Sequence, residues 1–260
     1  MYLAPMTLDA NTSDATISDD ELIATACPII KDTGWAFYFT PATVARGAEL
    51  GLDNFQFYAL GRGGVLGDVE PAVVSAAFGY FNPGLVAGLW NGAKAIVSPR
   101  VAGTTFMECS AAHGREKLAD VPGLDAFVAA GEKILAAANV DAFPLFAGTV
   151  SEPRADDLPG HAMQILTVLR EYRGSAHLVA VRAVGLDTKT AHFVTRPNDG
   201  AMFGWGPDDV PTIDDSARSK MVEAEALTDR LVQPAYSVLD QAERTGFIDT
   251  LRAIQAALTA

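Results

Sequence analysis

A chain of 260 residues, 49% of them hydrophobic, buries a substantial core and suits one large domain or two small ones. Its formal net charge of −13 makes it a poor generic partner for nucleic acid or an anionic membrane, both of which attract basic segments, and no run of Lys or Arg suggests a local exception. The two cysteines, Cys27 and Cys109, lie far apart in apolar contexts, as buried thiols of a reducing cytoplasm do.

From the N-terminus, residues 1–17 lack a basic n-region and an apolar h-region, so they read as a mobile polar leader rather than a signal peptide. Ser18 with Glu21 forms a capping-box pattern before LIATACPII. Thr40-Pro41, Asn82-Pro83 and Ser98-Pro99 each set a capping side chain before a proline suited to a first helical turn, and Asp157 stands ready to cap a helix just ahead of Pro159. The segments ATVARGAEL, GLVAGLWNGAKAIV, LDAFVAAGEKILAAAN and HAMQILTVLREY carry helical spacing, and alternating strand patterns are scarce. The expected fold is mainly α, with roughly ten helices. An N-terminal helical half, 18–150, meets a C-terminal half, 151–260, at the Pro/Asp/Gly-rich break Ser151–Gly160. A second irregular stretch, Thr195–Ser216, carries Phe203 and Trp205. No stretch is apolar and long enough to span a bilayer.

Three places concentrate chemistry. On the helix expected from His161 to Tyr172, the residues His161, Gln164, Val168 and Glu171 share one face, which either meets solvent or lines a polar cavity. Arg170, Arg173 and His177 follow at once. Gly174 is expected to break the helix near Tyr172 and return His177 toward the same cavity, so that the cluster faces Tyr58 and Arg62 across an interhelical cleft. Tyr58 and Arg62 are one turn apart in FYALGRGGVLGD. The glycine spacing there fits neither dinucleotide nor P-loop fingerprints, and reads otherwise as a helix end and turn. Arg62 would pair with a carboxylate or an anionic ligand. Glu108, among Phe106, Met107 and Cys109, is a candidate partly buried base, against the alternative of a solvated or Arg-paired carboxylate. The four histidines form no metal-binding pattern, and no cofactor fingerprint is visible, so neither metal nor cofactor is expected.

The stretches YFTP, GLDNFQFYALGRGGVLG, AAFGYFNPGLV, LPGHAMQILTVLREYRGSAH and EALTDRL together resemble an uncharacterised actinobacterial family labelled helix-turn-helix-like, over most of residues 35–90 and 157–235. The resemblance puts Tyr38, Tyr58, Gly61, Arg62, His161, Arg170, Glu171, Arg173, His177, Thr228 and Asp229 on the family's polar positions. Tyr172 and Ser175 depart from its main motif, and residues 91–113 show no family pattern. The family's winged-helix-like segment follows a Gly-Trp pair. Here the helix expected between Trp205 and PTIDDS is missing, and Asp208, Asp209, Asp214 and Asp215 stand where phosphate would approach, so the C-terminal part reads as a degenerate winged helix.

Two functional expectations follow. The first is a cytoplasmic, cofactor-independent tailoring enzyme of secondary metabolism, of lyase or cyclase type. It would perform acid/base-driven elimination, intramolecular displacement or cyclisation, or hydrolysis of an anionic substrate. Glu171, His177 and Glu108 would be its catalytic groups, and Tyr38, Tyr58, Arg62, His161, Arg170 and Arg173 would hold the substrate. The alternative is a non-catalytic, regulator-like protein that binds a small molecule without reading DNA. Both expect a small anionic partner, no nucleic acid and no membrane, and both accommodate a homo-oligomer or partner protein.

Overall fold

The computed structural model describes residues 16–260. Most of the leader expected over 1–17 therefore lies outside the described residues. Its end is fixed: the Ile17 amide donates to Gln241 Oε1 at 2.8 Å, and Arg244 Nη1 donates to the Ile17 carbonyl at 2.8 Å.

The described residues form twelve α-helices and three short 3-10 turns, somewhat more than the ten helices expected. In chain order the helices are α1 (Asp19–Thr33), α2 (Pro41–Glu49), α3 (Asn54–Gly63), α4 (Pro71–Phe78), α5 (Pro83–Lys94) and α6 (Pro99–Lys117). There follow α7 (Leu124–Ala137), α8 (Pro144–Val150), α9 (Leu158–Ala183), α10 (Thr188–Thr195), α11 (Asp215–Tyr236) and α12 (Gln241–Thr259). The starts obey the capping chemistry in the sequence. Ser18 and Glu21 form a reciprocal capping box, while Thr40, Asn82, Ser98 and Asp157 each accept a backbone N–H of the first turn.

α9 is the axis of the molecule. It runs 26 residues without a break, roughly 39 Å at 1.5 Å per residue. Met163, Ile165, Leu166, Val168, Leu169 and Tyr172 are buried on it, and α1, α6, α7, α8 and α11 pack around it. The main core gathers Phe37, Phe57, Trp90, Phe106, Phe127, Phe146 and Phe247. A smaller second core joins Ala180 and Val181 of α9 to Leu186, Ala191, Ala217, Met221 and Ala224, so the end of α9, α10 and the first half of α11 form a satellite.

The expected break at Gly174 does not occur. Tyr172, Ser175 and Ala176 are buried on either side, and packing outweighs the roughly 1 kcal/mol by which glycine disfavours a helix interior. The turn comes later, at Gly185, whose φ of +73° suits glycine. Gly64, in the turn after α3, is required for another reason. A Cβ there would lie 2.0 Å from the Pro99 carbonyl oxygen at the start of α6. Between Trp205 and α11 the chain makes only the 3-10 turn Pro207–Asp209. No helix among the described residues is long and apolar enough to cross a membrane.

Candidate functional site

Because α9 is continuous, Arg170, Arg173, Gly174 and His177 recur at three- and four-residue steps and share one face. α3 presents Tyr58 and Arg62 to that face. The join is Glu171, 2% exposed. Its Oε1 accepts from Arg62 Nε (2.9 Å), Arg170 Nη1 (2.9 Å) and the Tyr38 hydroxyl (2.9 Å), and its Oε2 accepts from Arg62 Nη2 (2.8 Å). Arg62 Nη1 also donates to the Tyr58 hydroxyl at 3.1 Å. Burial alone would push the Glu171 carboxyl up. The Arg62 charge and hydrogen bonds, with Arg170 and Tyr38, outweigh it and hold the pKa at about 2. A carboxylate so stabilised is a poor proton acceptor near neutral pH.

α11 completes the opposite end. Arg173 Nη2 donates to Glu225 Oε2 (2.9 Å) and Asp229 Oδ1 (3.0 Å). Thr228 spends its hydroxyl proton on the Ala224 carbonyl at 2.7 Å, so His177 Nδ1, 3.0 Å from that hydroxyl oxygen, is the N–H donor. Burial lowers the His177 pKa against the pull of Glu225, whose Oε1 lies 3.9 Å from Nε2.

Between these networks lies a cavity of about 260 Å³, with the main core on one side and the α10–α11 satellite on the other. Its aromatic wall is Tyr58, Phe78, Tyr80, Phe81 and Phe203, with Phe81 and Phe203 stacked at 4.3 Å. Its charged wall is Lys31, Arg62, Arg170, Arg173 and Arg196 against only Glu171 and Glu225, an inversion of the chain's overall charge. Four buried polar atoms of its lining have no hydrogen-bond partner among the described residues: the Tyr80 hydroxyl, Arg170 Nε, Arg173 Nε and His192 Nε2. Tyr80 holds a left-handed backbone, φ +53°, unusual for a bulky residue, and the Trp205 indole N–H donates to its carbonyl at 2.7 Å. Orphaned donors and local backbone strain together mark a place built for something else to occupy.

The sequence candidates divide accordingly. Tyr58, Arg62, Arg170, Glu171, Arg173 and His177 line the cavity. Tyr38 stands behind it, buried and bonded to Glu171. His161 does not reach it. Ten residues of helix, roughly 15 Å, separate it from Glu171, and its ring meets Glu132 at 2.8 Å. Gln164, on the same face, is spent on the Met107 carbonyl and the Ala155 amide, so that face is neither solvated nor one cavity. Glu108 is no buried base. Its side chain is 63% exposed, 4.0 Å from Arg46, because it projects from the outer face of α6 while Phe106 and Met107 turn inward. Sequence reasoning missed Tyr80, His192, Arg196, Lys31 and Glu225. The GYFN segment was a visible signal, since glycine followed by an aromatic before a capped helix invites a strained turn.

The chain matches the pattern of a helix-turn-helix family over residues 26–208, and it belongs to that family. The match runs through residues 91–113, where the sequence motifs fail, and ends before Thr228 and Asp229. No curated protein and no solved structure matches the chain. This membership corrects the functional expectation: it supports a DNA-binding or regulator-like role rather than a cofactor-independent enzyme.

Proposed function

We propose that this helix-turn-helix family member is a regulator-like protein that takes a small anionic effector into the cavity between its main core and the α10–α11 satellite. The observation that carries the reading is the cavity wall. Unpartnered buried donors from α9 and α10 converge there with an excess of cations, in a chain that is acidic elsewhere. An effector at that place touches Arg62 and Phe78 on one side and His192, Arg196 and Met221 on the other. It therefore changes how α10, the second helix of the unit α9–turn–α10, sits on the core. An actinobacterial origin and a cytoplasmic setting belong to the same reading.

The test is a thermal-melt screen of small organic and inorganic anions on the intact protein. Stabilisation that grows with concentration and disappears in Arg196→Gln supports the effector site; a flat screen contradicts it. Family membership favours DNA contact as the output. The segment 180–220 carries Arg182, Lys189, Arg196, Arg218 and Lys220 against six aspartates, a net charge of −1, so any phosphate contact there rests on those single side chains and not on a basic patch. Sequence-selective retardation of DNA by the wild type, weakened in Lys189→Ala and altered by the effector, is the expected result. Indifference to DNA at low salt would contradict this output while leaving the effector site intact.

A further inference from the structure

The cavity's charge and shape narrow what it takes. This step rests on the effector reading and names the class of effector. Arg62 and Arg170 share one carboxylate, Glu171, which leaves one positive charge in excess. Arg173 faces two carboxylates, Glu225 and Asp229, which leaves one negative charge in excess. Lys31 reaches only its surface neighbour Asp32, at 3.8 Å. Arg196 makes no ion pair among the described residues; its guanidinium lies 5.9 Å from the Phe203 ring centroid. Burial lowers the pKa of both histidines of the lining, His177 against the pull of Glu225 and His192 with the further push of Arg196, so the count rests on the arginines, the lysine and the carboxylates. The balance is one unmatched cation, the exposed Arg196 at the cavity's rim, on the same lining as the unpartnered Nε2 of the buried His192 and the unpartnered Tyr80 hydroxyl. A single negative charge closes that balance.

The remaining wall is aromatic. Phe78, Phe81 and Phe203 line it, Phe203 stacked on Phe81 and 4.2 Å from the His192 ring, so the apolar and anionic parts of the cavity are contiguous. A volume of about 260 Å³ lies just under the roughly 300–1,000 Å³ usual for ligand sites, which suits one ring rather than two.

We propose that the effector is a small planar aromatic monocarboxylate, with its carboxylate on Arg196 and the Tyr80 hydroxyl and its ring against the Phe78–Phe81–Phe203 wall. Arg196 gives the bidentate charge-assisted pair, and the Tyr80 hydroxyl and an Nε2–H tautomer of His192 donate to the same oxygens.

Titration calorimetry with benzoate, phenyl phosphate, benzamide and acetate on the full chain tests this. Benzoate is expected to bind at least tenfold more tightly than the other three. Arg196→Gln and Tyr80→Phe, which leave the cores untouched, are each expected to weaken benzoate at least fivefold, while His161→Ala leaves it unchanged. Tighter binding of phenyl phosphate or benzamide, parity with acetate, or indifference to Arg196→Gln would overturn the monocarboxylate. Phenyl phosphate binding that Tyr80→Phe or Arg196→Gln abolishes would overturn the class and keep the effector site. Failure of all four probes overturns the class, and the wider anion screen then decides the effector site on its own.

Discussion

Replacing Glu171 by glutamine removes the charge that two arginines share. In the wild type a carboxylate 2% exposed receives four hydrogen bonds, three of them from guanidinium groups. A glutamine offers one acceptor oxygen and turns an NH₂ group on Arg62, so two part-buried cations are left without the carboxylate between them. Breaking a buried ion pair on one side costs about 3–5 kcal/mol. For a domain of this size each kcal/mol moves the melting point by about 2–4 °C, so Glu171→Gln should melt roughly 6–20 °C below the wild type. Urea denaturation at neutral pH, read by circular dichroism, gives the free energy directly. The triple variant Arg62→Met/Arg170→Met/Glu171→Met should recover most of the loss, because it leaves neither arginine without its carboxylate. A loss under about 1 kcal/mol for the single variant would mean that the pair behaves like a solvated surface salt bridge, and would refute the reasoning.

The pH dependence has a fixed sign. The Glu171 carboxyl, ordinarily near 4.5, is held at about 2 in the folded chain, so its stabilisation is present above pH 4.5 and is lost as pH falls toward 2, a change of about 3 kcal/mol; Glu171→Gln should flatten that part of an acid-denaturation curve. Gly174→Ala should stabilise by about 0.5–1 kcal/mol, since nothing lies within 4 Å of the new Cβ and the helix is continuous there. Gly64→Ala should destabilise by about 1–3 kcal/mol or more, because its Cβ meets the Pro99 carbonyl at 2.0 Å. Glu108→Gln, on the outer face of α6, should change neither melting temperature nor anion binding, as parallel melts with and without benzoate would record.

The helix starts were legible because a capping side chain acts within one turn, and a Thr-Pro or Ser-Pro pair states its conformation locally. The pairing of Arg62 with the Arg170–Glu171 segment was legible as scarce charge concentrated in apolar sequence. Gly174 misled because its local preference opposes a helix while burial of Tyr172 and Ala176 enforces one, and burial is a tertiary fact. His161 misled because helical periodicity puts residues on one face without saying that the face crosses several environments along its length. Tyr80, His192 and Arg196 stayed hidden because their importance lies in lacking partners, which no sequence pattern records.

Amide hydrogen exchange across Thr188–Thr195, with and without saturating benzoate, tests the central claim most directly, because it reports whether an occupied cavity binds α10 to the main core. The account predicts slower exchange through α10 and the facing turns of α11, with α7 and α12 unchanged. Exchange in α10 that is the same in both states, at a benzoate concentration that calorimetry proves saturating, would contradict it.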